Sequence, residues 1–156
     1  MFARLRGAGV ACRAVIVGDG PERQALETTL PEALFLGFLT GDDLPDAYAN
    51  ADLFVFPSDT ETFGSVTLEA MASGLPTLCA DATGSRSLVE PGVTGFLEPA
   101  DSGEAFFERA RQLIEHRDLR GSMSRAARAR SLLFTWDAAM GMLLERYRRL
   151  AEAARN

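Results

Sequence analysis

Five apolar runs of four or five residues recur along the chain, at 13–17 (RAVIV), 33–36 (ALFL), 53–56 (LFVF), 76–80 (PTLCA) and 94–97 (TGFL). Each is too short for a buried helix, and the first four are bounded by Gly, Pro or Asp punctuation, so they predict strands. Their near-continuous apolar character is that of strands covered on both faces, which is the environment of a parallel sheet. The intervening segments have helical length, and strand–helix–strand connections are right-handed. The expectation is therefore an α/β protein with a Rossmann-like, doubly wound parallel sheet. In such sheets ligands bind beyond the carboxyl ends of the strands. That edge would hold 18–20, 37–40, 58–64 and 81–85.

The helices are marked by their ends. Pro21 suits the first turn of a helix running to residue 30, and Asp42 is placed to cap a short helix over 42–50. A helix over 64–73 stops at Gly74, and 85–90 forms a further turn. From 103 onward the pattern is helical, broken near 118 and at 134–136, which predicts three C-terminal helices. Residues 1–9 look like the end of a helix whose own preceding strand is missing. The expected organisation is one domain over 1–133 and a closing helix over 134–156.

Composition excludes several classes. The 156 residues are 47% apolar and 24% charged, with a net charge of −6, which argues against nucleic acid as a partner. No apolar run is long enough to span a bilayer, and the start has no secretory h-region, so a cytoplasmic location without membrane contact is the expectation. Cys12 and Cys79 have neither metal-ligand nor redox spacing and are expected to be small buried side chains. Charge is uneven: residues 1–100 carry 14 acidic and 5 basic side chains, a net −9, and the remainder is net +3. Every basic residue is arginine, and the arginine-rich tail is expected to be a solvated helix face.

The segment 57–76, PSDTETFGSVTLEAMASGLP, follows a strand and opens a helix. The first-turn N–H groups near Gly64, Ser65 and Val66 would form an anion site, and the lack of a side chain at Gly64 lets a ligand approach its backbone. Glu61 lies in the loop before that site and Glu69 in the helix after it. A carboxylate there can accept two hydrogen bonds from adjacent sugar hydroxyls. From the residues alone two other roles stay open: Glu69 on the solvent side of an amphipathic helix, and Glu61 as a capping carboxylate.

The ordered series resembles the donor-binding half of retaining glycosyltransferases of the two-domain GT-B type, family 4. The resemblance rests on Glu61-Thr62-Phe63-Gly64 and on Glu69-Ala70-Met71-Ala72-Ser73-Gly74-Leu75-Pro76. It is supported by VIVGDGPE at 15–22, FLGFL at 35–39, ADLFVFPS at 51–58, GVTGFL at 92–97 and FTWDAA at 134–139. It implies that Glu69 binds the ribose hydroxyls of a nucleotide diphosphate sugar. Glu61, the catalytic-site acid, would hold hydroxyls of the transferred sugar. Backbone N–H groups at Phe63, Gly64 and Ser65 would lie near the sugar and diphosphate. The backbone around Phe38 and Leu39 would face the base, and Gly18 would shape the cleft floor. The resemblance implies no metal and no further cofactor, and a donor of the GDP-mannose or UDP-glucose type. It also implies front-face transfer of a hexose to a hydroxyl acceptor.

Two departures accompany it. The family's Arg and Lys for the donor phosphates have no counterpart in this chain, and neither has the N-terminal acceptor-binding domain. Ser87 stands where many relatives have Glu. The alternative to a donor domain is a non-catalytic nucleotide-binding module or an inactive fragment. Of the remaining residues, 18–20 (Gly-Asp-Gly) lack the third glycine of a dinucleotide fingerprint. His116 is expected on the surface, and Trp136 is expected to pack the last helix onto the domain. Part of that helix, over 140–144, is expected to be exposed and open to self-association.

Overall fold

A computed structural model describes residues 1–60 and 62–153. The chain runs α1 (Phe2–Gly7), β1 (Val15–Val17), α2 (Arg23–Thr29), β2 (Leu34–Gly37), α3 (Asp43–Ala49) and β3 (Phe54–Phe56). It continues through α4 (Ser65–Ala72), β4 (Thr77–Ala80), α5 (Thr83–Leu88) and β5 (Gly95–Glu98), then α6 (Gly103–Glu115), α7 (Arg117–Ser131) and α8 (Trp136–Ala153). The expected strands and helices are all present, within about two residues at each end. No helix of the described residues is long and apolar enough to cross a membrane.

All strand pairs are parallel. Val15 pairs with Leu34, Phe54 with Thr77, and Thr77 with Gly95. The strands form two ladders, β1–β2 and β3–β4–β5, rather than one continuous sheet. A doubly wound sheet has the order 3-2-1-4-5-6. Taking β1 as the second strand of that order leaves β2–β1 on one side and β3–β4–β5 on the other, which is the division seen.

The core is built on β4, whose four residues are all buried. Alternate side chains face opposite ways. Leu78 and Ala80 join a cluster with Leu5 and Val10, Phe96 of β5, and Phe106, Phe107, Ala110 and Leu113 of α6. On the other side Cys79 lies 3.8 Å from Thr67 of α4, and Met71, Leu88 and Ala127 close a second cluster between α4, α5 and α7. Burial pushes the Cys79 thiol up to about 11, partly offset by neighbouring hydroxyls, Thr67 foremost. Cys12, also expected to be buried, is instead half-buried at the margin of the Leu5 cluster.

Three expectations are corrected. Asp42 stands at the start of α3 but makes no side-chain capping bond; its own backbone is already helical. Trp136 does not pack α8 onto the domain: it is 81% exposed, and α8 has no buried residue. The arginines of α7 are not simply a solvated face. Arg120 donates to the carbonyls of Leu113 and Ile114 at the end of α6, both at 2.9 Å. Arg128 donates to Ala72 O at the end of α4, and Arg130 to Leu88 O at the end of α5, at 2.5 Å. Each guanidinium satisfies carbonyls that a helix end leaves without a partner, where the helix dipole also favours a cation.

Candidate functional site

Because the strands are parallel, their carboxyl ends lie on one edge within each ladder. β1 ends in Gly18, whose φ is +119° and whose N–H donates to Gly37 O at 2.7 Å. That bond fastens the β1 exit to the β2 exit, and a side chain at this φ would be strained. β2 leads into Phe38 and Leu39; the Phe38 ring is 79% exposed and Leu39 is half-buried. An exposed aromatic just past a strand end offers a planar apolar face to a ligand.

β3 leads through the 57–64 loop into α4. Glu61 lies outside the described residues. Phe63 is exposed, and Gly64 is buried with φ +89° as the residue before the helix. The first bond of α4 runs from Leu68 N–H to Gly64 O, at 2.9 Å. The amides of Ser65, Val66 and Thr67 therefore precede the helix's own ladder. A Cβ at Gly64 would stand 2.7 Å from Leu88 Cδ1 and 3.2 Å from Gly84 O, so the mouth of α4 sits close against the first turn of α5.

Glu69 is exposed, in contrast to Thr67, Ala70 and Met71 beside it, which are buried. Ser65 and Glu69 stand one turn apart on the exposed stripe of α4. The helix thus carries a hydroxyl and a carboxylate on its exposed stripe, with its opening amides at the end where that stripe begins. Glu69 Oε2 accepts from the Tyr48 hydroxyl of α3 at 3.3 Å, and the same hydroxyl lies 3.5 Å from Val66 O. Tyr48 is itself held edge-on against Phe54, with ring centroids 5.9 Å apart. Its phenol is pushed up to about 12, first by burial and then by the Glu69 charge.

Sequence reasoning missed Tyr48, because the contact joins residues 21 positions apart. It also missed the pair after β4. There Arg86 makes a two-pronged contact with Asp81, at 2.5 and 3.0 Å, which holds the Asp81 carboxyl below its usual range. Arg86 is therefore an exposed cation on the same strand edge. Ser87 donates to Gly84 O at 2.8 Å, within its own helix. Among the described residues no group of three or more His, Cys, Asp or Glu side chains is set to hold a metal ion.

The similarity to known proteins extends over most of the chain, the α4 mouth included. The family model for glycosyl transferases group 1 matches residues 1–130. A GDP-mannose-dependent alpha-mannosyltransferase of Mycolicibacterium smegmatis is 44% identical over 134 residues, covering 85% of this chain and 35% of the relative. The solved Anabaena protein Alr3699/HepE, in complex with UDP-glucose, superposes with a TM-score of 0.69 at 32% identity, covering 76% of this chain and 35% of that one. The C-terminal domain of a group 1 glycosyl transferase, LpcC from Francisella tularensis, shares the fold alone, with a TM-score of 0.69 at 16% identity. This chain is 85% covered and that domain 91%. The chain spans between 26% and 41% of the length of the first curated relatives it matches. By these matches the chain belongs to the group 1 glycosyltransferase family and has the fold of that family's C-terminal domain.

Proposed function

We propose that this chain binds the donor of a retaining hexosyltransferase, a nucleotide diphosphate sugar of the GDP-mannose or UDP-glucose type, whose hexose passes to a hydroxyl acceptor. The observation that carries the reading is the exposed side of α4. Ser65 and Glu69 stand one turn apart on that side, and the opening amides lie at the end where it begins, after a left-handed glycine. Amide dipoles at a helix mouth suit a diphosphate, and a carboxylate one turn further suits a pair of ribose hydroxyls. Phe38 supplies an exposed ring past β2 for the base. Glu61, Phe63 and Gly64 are assigned to the sugar side of the same site. Two relatives support the donor class by their names, one GDP-mannose-dependent and one bound to UDP-glucose.

Breaking the sugar–phosphate bond builds negative charge on the departing nucleoside diphosphate. Dipoles already aimed at that position stabilise the charge without reorganising, which is where the catalytic contribution of this half lies. The rest of the reaction, including acceptor choice, is assigned to parts of a full-length enzyme beyond the portion that these residues cover.

Calorimetric titration with GDP, UDP, ADP and their sugar-linked forms, repeated on Glu69→Ala, tests the reading. One of the nucleotides should bind. The substitution should weaken it at least tenfold, since a hydrogen bond to a charged acceptor contributes about 1.5–3 kcal/mol. Equal affinity of the two proteins would remove Glu69 from the site, and failure of every nucleotide to bind would remove the function.

A further inference from the structure

The geometry points to Tyr48 as the positioning residue for Glu69: its hydroxyl fixes the carboxylate in the orientation that receives the ribose. This inference rests on the donor-binding reading above and adds to it a residue on a different helix. Three observations carry it. The Tyr48 hydroxyl has two acceptors within reach, and Glu69 Oε2 at 3.3 Å is the nearer and the charged one, with Val66 O at 3.5 Å. The phenol ring is half-buried and braced edge-on by Phe54, which in turn stacks on Phe56 at 5.9 Å, so the donor itself is held in place. Glu69 is exposed, and no other side-chain hydrogen bond to it is found among the described residues.

An exposed glutamate on a helix samples several rotamers and loses that freedom when it binds a ligand. A single donor from a rigid neighbour removes part of the loss beforehand, which is the usual source of gain from preorganisation. The arrangement leaves enough acceptor capacity. A carboxylate has about four lone-pair sites; Tyr48 occupies one on Oε2, and Oε1 with the remainder of Oε2 can accept two adjacent hydroxyls. A tyrosine also suits the role because it donates one hydrogen and adds no charge that would compete with a hydroxyl ligand. Tyr48 touches Glu69 and the α4 backbone, so it acts through Glu69 and not on the substrate.

The test separates this role from simple packing of α3 on α4. In Tyr48→Phe the ring and its contacts remain and only the hydroxyl is lost. GDP, UDP and ADP are titrated alongside their 2′,3′-dideoxy counterparts against wild type, Tyr48→Phe and Glu69→Ala. Tyr48→Phe should weaken the ribonucleotide by about 3- to 10-fold and leave the dideoxy form unchanged. An equal loss for both forms would show a packing role and overturn the inference, as would no loss for either. If Glu69→Ala leaves the preference for the ribonucleotide intact, the ribose role of Glu69 fails instead. A nucleotide-free measurement stands beside these. Side-chain J-couplings of Glu69 should report one dominant χ1 rotamer in wild type and averaging in Tyr48→Phe. Averaging in both proteins would overturn the inference even if no nucleotide binds.

Discussion

Gly64 joins the conformational and the chemical sides of the site. Its φ of +89° turns the chain from the loop into α4, and the missing side chain lets the helix mouth lie against Gly84 and Leu88. Gly64→Ala should therefore cost about 1–3 kcal/mol, from left-handed strain and from a methyl 2.7 Å from Leu88 Cδ1 that the leucine must vacate. A shift in the urea midpoint at constant slope would measure it; an unchanged midpoint would mean that the turn is not held as described. This glycine was legible in the sequence because it sits between a loop and an apolar helix. Glu69 was legible as a site residue, but its surroundings were not. The flanking Leu68, Ala70 and Met71 left open which way the carboxylate faces, and the helix turns Glu69 outward beside Ser65. One residue's position on a helix depends on where its neighbours pack, and that is fixed by α5 and α7, well downstream.

At the scale of elements, strands and helices followed closely from their apolar runs and end signals, since those are local properties. The joints between elements did not. α7 carries Arg120, Arg128 and Arg130, and these reach the ends of α6, α4 and α5 respectively. From sequence they form an arginine-rich stripe like any solvated helix face, because the carbonyls they meet are up to 56 positions away. Arg130 is the most engaged. It bonds Leu88 O, lies 3.5 Å from Glu90 Oε2, and has its guanidinium 5.7 Å from the Phe134 ring centre. Arg130→Ala should destabilise by about 1–2 kcal/mol in thermal or urea unfolding, less than a fully buried charged bond because the side chain is partly solvated. Arg130→Lys should recover under half of that, since an ammonium cannot repeat the fork. Arg125→Ala, at an exposed position on the same helix, should stay within about 0.5 kcal/mol. If the alanine variants at 125 and 130 behaved alike, the capping role would be wrong.

Across the whole molecule, stability is unevenly placed. The buried apolar side chains are Leu5, Val10 and Ala14 and then residues from Ala70 to Ala127, with none between Val15 and Phe63 among the described residues. Val15, Val17, Leu34 and Leu36 are all more than a third exposed, on one face of the β1–β2 ladder. That ladder is also separate from β3–β4–β5. The parallel, doubly wound architecture was legible from the alternation of runs and helices, but the split was not, because an apolar run does not reveal whether both of its edges find a partner. Elements with few buried contacts open more cheaply than the core. Native-state hydrogen exchange should therefore show β1 and β2 amides opening at a free energy at least about 2 kcal/mol below those of β4, which should exchange only on global unfolding. The doubly wound order assigns the space between β1 and β3 to a strand. A longer form of the protein that supplies one there should raise the protection of β1 and β3 together while leaving β4 nearly unchanged. Uniform protection across both ladders in the present chain would contradict the division of stability, and protection of β3 without β1 in the longer form would contradict the placement of the strand.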